Sequence, residues 1–523
     1  MNNSEGTPNM ASKPGAPDIE AHSAPISVVG SEKRAAADIE ALSTPTSVVG
    51  SDKLETPDAN AVGWDGPHDP ANPQNWTPKK KWAHIIMVSL FALVTNMAPT
   101  MCVPGAQIFL HEFGVTSSTT GQLAITIYVL GLALGPMIIS PLSEAYGRLP
   151  IYHVSNALFL VFLIGCAVSR TLAQFMVFRF ISGFMGGTPM ALGGATIADM
   201  TQMDARPVAM ALFSLGPLTG PVLGPLIGGF TVVGLGWRWT FWLLAIISGV
   251  IFVAAAAFMR ETYAKTILER KTARLRASTG NRDLRSIMTP SNLTASHLLV
   301  TTLIRPCKLL VLSPILLVIS IYVALVFGTM YLLFTTFTGV FEGQYGFSTS
   351  MSGLVYLGTF VALILALITY HGFNERIKQS RMRADGVTTP EPEYHLIMMI
   401  LFSPFVGLGL FMYGWTAYYQ VHWIVPIIGT VLIGYGAFFV IMPAQLYLVD
   451  LFGSQAAASA LGANNLLRFI FSPFLPLAGP ALYEKLNYGW GNTLLGFLAL
   501  AFVPFPVLFY KFGKRLRAKP VNL

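Results

Sequence analysis

SLGPLTGPVLGPLIGGF, residues 214–230, carries glycines at Gly216, Gly220, Gly224 and Gly228, and the first three are followed by Pro217, Pro221 and Pro225. Four-residue spacing aligns the glycines along one helical stripe without side chains, which another helix can approach at backbone distance. Three prolines would break a helix in water. Inside a bilayer, neighbouring helices can re-satisfy the freed carbonyls, so the stretch reads as a bent, closely packed membrane helix. Two roles fit it: a passive packing groove, or a working part of a protein that moves.

Composition agrees with a membrane setting. The 523 residues are 53% hydrophobic and 11% charged, against roughly a quarter charged in an average soluble domain. The net charge of +8 does not point to nucleic acid, because the basic residues cluster between apolar runs, the pattern that sets membrane orientation. Cys102, Cys166 and Cys307 lie in or beside apolar runs, at spacings that suit neither a disulfide framework nor a metal site. The first 60 residues are polar and the first apolar run is already a full span, so no cleavable signal peptide is expected.

From His84 onward, twelve runs are long enough to cross a bilayer: 84–103, 121–141, 150–168, 172–198, 207–230, 238–259, 309–338, 351–371, 395–414, 422–447, 456–483 and 490–510. The expected fold is an all-α integral membrane protein of twelve transmembrane helices in two six-helix lobes, 84–259 and 309–510. A hydrophilic loop, 260–308, joins the lobes, the pattern of secondary transporters with a substrate site between lobes near the midplane. Residues 1–83 read as a disordered tail with a 20-residue direct repeat (DIEA at 18–21 and 38–41, SVVGS at 27–31 and 47–51), too short and polar for a solenoid. Residues 511–523 form a basic tail.

Charge counting orients the chain. The side holding both termini carries ten Lys and Arg between 260 and 308, four between 376 and 383 and five from Lys511; the opposite loops hold only Arg170, Arg238 and Lys485. Both termini are therefore expected in the cytoplasm, and the sequons at Asn2, Asn75 and Asn292 should carry no glycan. ERKTARLR (269–276) in the central loop reads either as a basic amphipathic helix on the inner leaflet or as a solvated tether.

Only two ionisable residues stand well inside a span, Arg179 and Arg468, and charge there marks functional candidates. No Asp or Glu lies mid-span, so their partners are backbone carbonyls, side chains such as Asn464 and Asn465, water, or an anionic or polar substrate. The alternative is a helix-bridging structural arginine. Carboxylates fall at cytoplasmic span ends: Glu144, Asp199, Asp204 and Asp450. In the turn SPLSEAYGRLPIY (140–152), Glu144 and Arg148 are placed for ion pairs that exist in one lobe arrangement only, with Asp199 as a partner for Arg148. A plain loop salt bridge would read the same and contribute little. The histidines sit in tails, loops and span ends, so no midplane relay is expected. HExxH, GxxxxGK[ST] and GxSxG are missing from the sequence, which argues against an enzyme or an ATP-driven pump and for an ion or substrate gradient. No cofactor or metal is expected.

At SPLSEAYGRLP (140–150), RFISGFMGG (179–187) and GPLTGPVLGPLIGGF (216–230), the chain closely resembles the major facilitator superfamily, in particular fungal twelve-span drug:proton antiporters. WDGPHDPANPQNW (64–76), WRWTFWL (237–243) and RETYAKTILERKTARLR (260–276) resemble further blocks of that family. Departures are Ser140 where glycine is frequent, Glu144 where aspartate stands, and Arg260 in place of a proline before Glu-Thr. The resemblance covers about residues 64–517. It implies proton-coupled alternating access that exports toxins, drugs or secondary metabolites. Arg179 then takes part in proton coupling, and Gly216, Pro217, Gly220, Pro221, Gly224, Pro225, Gly228 and Gly229 form the antiporter helix.

With no mid-span carboxylate, Glu144, Asp199 and Asp450 become the acid candidates, gated with Arg148. A cavity between the lobes would be lined by Asn96, Tyr322, Tyr331, Tyr356, Asn464 and Arg468; ordinary helix packing competes for each tyrosine. The orientation places the glycine stripe in the middle and outer part of the fifth span, where a contact between lobes would seal the outward side. The runner-up is an uptake permease for a polar nutrient, by proton symport or facilitated passage. The expected partners are a small-molecule substrate, protons and the lipid bilayer. A monomer is expected, in the plasma membrane or, as an alternative, the vacuolar membrane.

Overall fold

The computed structural model describes residues 60–202, 205–288 and 295–517. The candidate Asp204, the repeat at 18–51 and the sequons at Asn2 and Asn292 lie outside them. The described residues are helical apart from short connections and a two-residue parallel bridge, β1 (Ala61–Val62) with β2 (Arg285–Ser286).

The first half contains α1 (Pro78–Met101), α2 (Ser118–Tyr146), α3 (Arg148–Val168), α4 (Leu172–Gly186), α5 (Thr188–Met200), α6 (Arg206–Leu235) and α7 (Arg238–Phe258). Helices α4 and α5 meet at Gly187 and share one apolar crossing, Leu172–Met200. Polar residues start helices where a hydroxyl can take an orphan N–H: Ser117 accepts from Thr120 and Thr171 from Gln174. A central segment holds α8 (Ala264–Thr279) and α9 (Ala295–Leu312). The second half contains α10 (Pro314–Tyr345), α11 (Leu357–Asp385), α12 (Tyr394–Phe402), α13 (Pro404–Tyr418), α14 (Ile424–Phe502) and α15 (Pro504–Arg517).

Among the described residues, eleven helical stretches are long and apolar enough to cross a membrane. The last, Ser459–Arg515, has 57 residues, about 85 Å if straight and far beyond one bilayer thickness. It folds back at Asn487, whose φ is 53°. There the Tyr483 and Tyr488 rings meet at 5.0 Å and the Tyr483 hydroxyl donates to Asn492 Oδ1 at 3.2 Å. A second break at Gly453 makes α14 three legs.

Each half has its own apolar core, one built from residues between Trp76 and Met259 and the other mainly from residues between Leu309 and Phe509. Val250, Val253 and Phe497 point outward and are 66%, 68% and 60% exposed. Helices apolar on both faces suit a lipid surround rather than water. The halves meet where Val129, Leu132 and Ala133 of α2 pack on Tyr331 and Phe469, and where Leu218 of α6 joins Leu363 and Ala366 of α11.

Residues 60–83 depart from the expectation of a disordered tail. They form β1, a 3-10 turn at Pro73–Asn75 and the start of α1, and they strap across α8. The Lys271 ammonium on α8 donates to Gly63 O at 2.9 Å and Asp65 Oδ1 at 2.5 Å. Asp69 holds the strap's own turn by accepting from the N–H groups of Asp65 and Ala71 at 2.9 and 2.8 Å. These two bonds keep its carboxyl below the ordinary 3.8. Local polarity hid this order, because Lys271 lies 206 residues beyond its partner Asp65.

Candidate functional site

The glycine stripe of α6 lies on α1, inside the first half. A Cβ on Gly216 would sit 2.8 Å from Leu93 N, one on Gly220 2.8 Å from Asn96 Cβ and 2.9 Å from its carbonyl carbon, and one on Gly224 2.8 Å from Met97 O. A Cβ on Gly228 would meet the carbonyl of Met101. These neighbours are mostly backbone and cannot yield. The stripe therefore does not make the expected contact between lobes, and another face of α6 meets the other half. Leu218, Val222, Pro225 and Gly229 follow one another down a second face and meet the other half. A Cβ on Gly229 would come within 3.0 Å of Thr349 O, and one on Gly353 within 2.8 Å of Pro225 O. Gly-x-x-x-Gly spacing names a close face but not the helix that fills it.

Arg179 on α4 is fully buried. Its Nη1 donates to Ala98 O at 2.9 Å, and Nη2 donates to Pro99 O at 3.3 Å and Ile125 O at 2.7 Å. Ala98 and Pro99 belong to the last turn of α1, whose carbonyls lack helical donors and carry the negative end of the helix dipole. Pro99 has no N–H for the carbonyl four residues back, and the Tyr128 hydroxyl donates to that oxygen, Thr95 O, at 2.7 Å. Of the alternatives open in the sequence, backbone carbonyls answer Arg179 in this conformation, and it bridges α1, α2 and α4.

The turn between α2 and α3 gathers charge from three elements. Arg148 Nε donates to Asp199 Oδ2 at 3.4 Å and its Nη1 to Ser143 Oγ at 2.6 Å. The guanidinium lies 4.7 Å from the Tyr263 ring centre, and burial raises the Tyr263 phenol. The side chains of the pair are 9% and 21% exposed, so solvent screens it less than a surface pair. Glu261, which motif reading passed over, accepts from the backbone N–H groups of Arg148, Leu149, Thr262 and Tyr263. Glu144 is half-buried and makes no ion pair among the described residues in this conformation. It lies in the last turn of α2, where neighbouring Ser143 takes the Arg148 Nη1.

In the second half, Asp450 is bonded to His395 Nε2 at 2.9 Å, linking the end of the first leg of α14 to the start of α12. Arg148 and His395 thus hold corresponding carboxylates in the two halves. Arg260 explains its own departure from proline, since its backbone N–H donates to His84 Nε2 at 2.9 Å, a bond proline lacks.

At the opposite end of the bundle a cavity of about 530 Å³ opens between the halves. Gln107 and Gln122 line it from the first half; Thr335, Thr338, Tyr483 and Glu484 line it from the second. The volume is in the range of small-molecule sites. None of the six residues expected to line a cavity lines this one. Asn96 donates to Ala92 O at 2.7 Å and packs beneath Gly220. Tyr322 stacks on Phe502 at 5.4 Å, and Tyr356 donates to Phe334 O. Tyr331 is buried where the halves meet. Asn464 and Arg468 are buried one helical turn apart on α14. Close packing at mid-depth removes these side chains from open space and leaves the cavity nearer the surface.

The chain matches the Major Facilitator Superfamily over residues 85–476. It is 51% identical to MFS transporter prlG from Fungal sp. (strain NRRL 50135), covering 88% of this chain and 97% of that one. It is 43% identical to efflux pump radE from Floropilus chiversii, covering 88% and 86%. It is also 44% identical to the Trichosetin biosynthesis cluster MFS transporter of Gibberella fujikuroi, covering 88% and 89%. Among solved structures, the xylose transporter XylE from E. coli superposes with a TM-score of 0.60 at 15% identity, over 83% of this chain and 98% of that one, a likeness of fold. With its motifs on successive helices and two apolar cores around a cavity, this chain belongs to the major facilitator superfamily and is a multi-pass membrane transporter rather than an enzyme.

Proposed function

We propose that this transporter exports small organic molecules, such as toxins, drugs or secondary metabolites, by proton antiport with alternating access. It crosses the membrane twelve times with both termini in the cytoplasm, acts as a monomer without a cofactor, and works in the plasma membrane, with the vacuolar membrane as the alternative site. The observation that carries the reading is the 530 Å³ cavity open at one end, while the Arg148–Asp199 pair is formed at the other. One open end and one latched end is what a two-state transporter needs. The relatives named as an efflux pump and as a biosynthetic-cluster transporter support the outward direction. Asp199 is the leading proton carrier, since protonation would release Arg148, and Asp450 and Glu144 follow.

A second reading, uptake of a small polar nutrient, draws on the same cavity, whose glutamines and threonines suit a polar cargo. Inverted membrane vesicles with an acid interior separate the two. Antiport accumulates labelled cargo inside them and a protonophore abolishes the gain; symport moves it out. Absence of protonophore-sensitive accumulation across a toxin panel would sink the export reading.

A further inference from the structure

Asn464, Arg468 and Ser472 stand four residues apart and so share one face of the middle leg of α14. They are 0%, 6% and 0% exposed. Neither amide atom of Asn464, nor Ser472 Oγ, nor Arg468 Nε has a hydrogen-bond partner, and the Arg468 guanidinium enters no hydrogen bond or ion pair among the described residues. Its neighbours are the rings of Phe327 and Phe469, each with its centre 4.7 Å from Cζ. Buried polar groups in folded proteins are nearly always paired, and an unpaired buried charge is especially unfavourable. Three such residues on successive turns form a site that is incomplete in this conformation.

What completes it must supply hydrogen-bond acceptors to the guanidinium, and an anion brings with them the counter-charge that no described residue gives Arg468. Arg179 does not have this need, because three carbonyls already hold it. Water would satisfy Asn464 and Ser472 but would leave the Arg468 charge without a counter-ion. Phe469 and Tyr331 pack on Val129, Leu132 and Ala133 of α2, and Phe327 packs beside them, so the rings around Arg468 stand where the halves meet. The flanking rings match a flat, unsaturated body. The geometry points to the Asn464–Arg468–Ser472 face as the subsite for the acidic headgroup of an amphipathic organic anion, with Phe327 and Phe469 against the conjugated part next to it. Resting on the export reading, this makes the cargo an organic acid and disfavours lipophilic cations. The closed packing around Arg468 has the anion enter when the lobes part on the other side.

Two xanthene dyes of opposite charge, fluorescein and rhodamine 6G, test the assignment on the full-length protein. Binding is read by fluorescence anisotropy in neutral detergent, where no proton gradient or transport direction is involved. Fluorescein should bind at least tenfold more tightly than rhodamine 6G. Arg468→Met should weaken fluorescein at least tenfold without lowering the melting temperature, and Arg468→Lys should restore part of the loss. Added phosphatidylserine should not displace the dye; displacement would make the face a lipid site and overturn the cargo assignment. Equal binding of both dyes, no binding of fluorescein, or unchanged affinity in Arg468→Met overturns it, and an Arg468→Met protein that unfolds marks the arginine as structural and does the same. Arg468-dependent binding without accumulation in inverted vesicles would remove the export reading and leave the subsite standing.

Discussion

Glu261 accepts the backbone N–H of Arg148 at 2.9 Å and that of Leu149 at 3.2 Å, capping the first turn of α3 from 113 residues further along the chain. The same oxygen of Glu261 that meets Arg148 also accepts from Thr262 and Tyr263. One carboxylate thus ties the end of α7 to the turn before α3, while Arg148's side chain turns to Asp199. A Cβ at Gly147 would come within 2.5 Å of Glu261 Oε2, and its φ is +96°. Only glycine suits that position on both counts.

Glu261→Ala removes this cap and should cost about 1–2 kcal/mol, with Glu261→Gln losing less because an amide oxygen still accepts. Thermal unfolding of the purified protein reads the difference, and an alanine variant that melts with the wild type would show the cap to be idle.

Asp199→Asn keeps an acceptor for Arg148 but removes the charge. The pair is worth on the order of 1 kcal/mol, so turnover in vesicles should slow several-fold and its dependence on the pH gradient should weaken. Unchanged turnover with unchanged pH dependence would rule out the gate.

Gly220→Leu drives a branched side chain into the backbone of α1 at Asn96. Overpacking of this kind costs about 1–3 kcal/mol, and export should be lost. Gly234→Ala, on the same helix but with nothing within 4 Å, should leave both expression and export as they are. Equal effects from the two would mean that the contact with α1 does not matter.

Arg179→Ala orphans the carbonyls of Ala98 and Pro99 in the last turn of α1, at about 1–3 kcal/mol for each buried acceptor left unmade, and takes the second donor from Ile125 O. Transport and the quantity of folded protein in the membrane should fall together, and Arg179→Lys, with one compact ammonium, should recover only part. Full-strength folding with transport alone lost would instead place the arginine in coupling.

The strap over α8 should be insensitive to pH across the physiological range. The Asp69 carboxyl is held below 3.8 by the N–H groups of Asp65 and Ala71. A depressed folded value contributes stability that is complete above 3.8 and is lost as pH falls through that lower value. Hydrogen exchange at residues 60–76 should stay slow from pH 8 to pH 5 and quicken only under strong acid. Release near pH 6 would contradict this, and Lys271→Ala should loosen the strap at every pH.

Much of the architecture was readable because it rests on local rules. Hydropathy separates 121–141 from 150–168, and the structure places Gly147 at the break between α2 and α3. The reversal at Asn487 likewise falls between the expected runs 456–483 and 490–510. Asp199 was readable as Arg148's partner because both sit at span ends on one side. Glu261 was not, since an acidic residue in a polar block gives no sign of the helix it caps. Nor was His395, because a histidine at a span end looks the same whether solvated or bonded to Asp450.

The stretch 214–230 shows the division most clearly. Its four-residue glycine spacing alone determined a bare stripe on a bent membrane helix, because side-chain periodicity is a property of one helix. That the stripe meets α1, that Leu218, Val222, Pro225 and Gly229 carry the contact to the other half, and that Arg468 has no hydrogen-bond partner among the described residues while Arg179 has three were decided only in three dimensions. A helix in lipid can turn an unmarked face to several neighbours at similar cost. The choice is made by which carbonyls and side chains lie opposite once all the helices have packed.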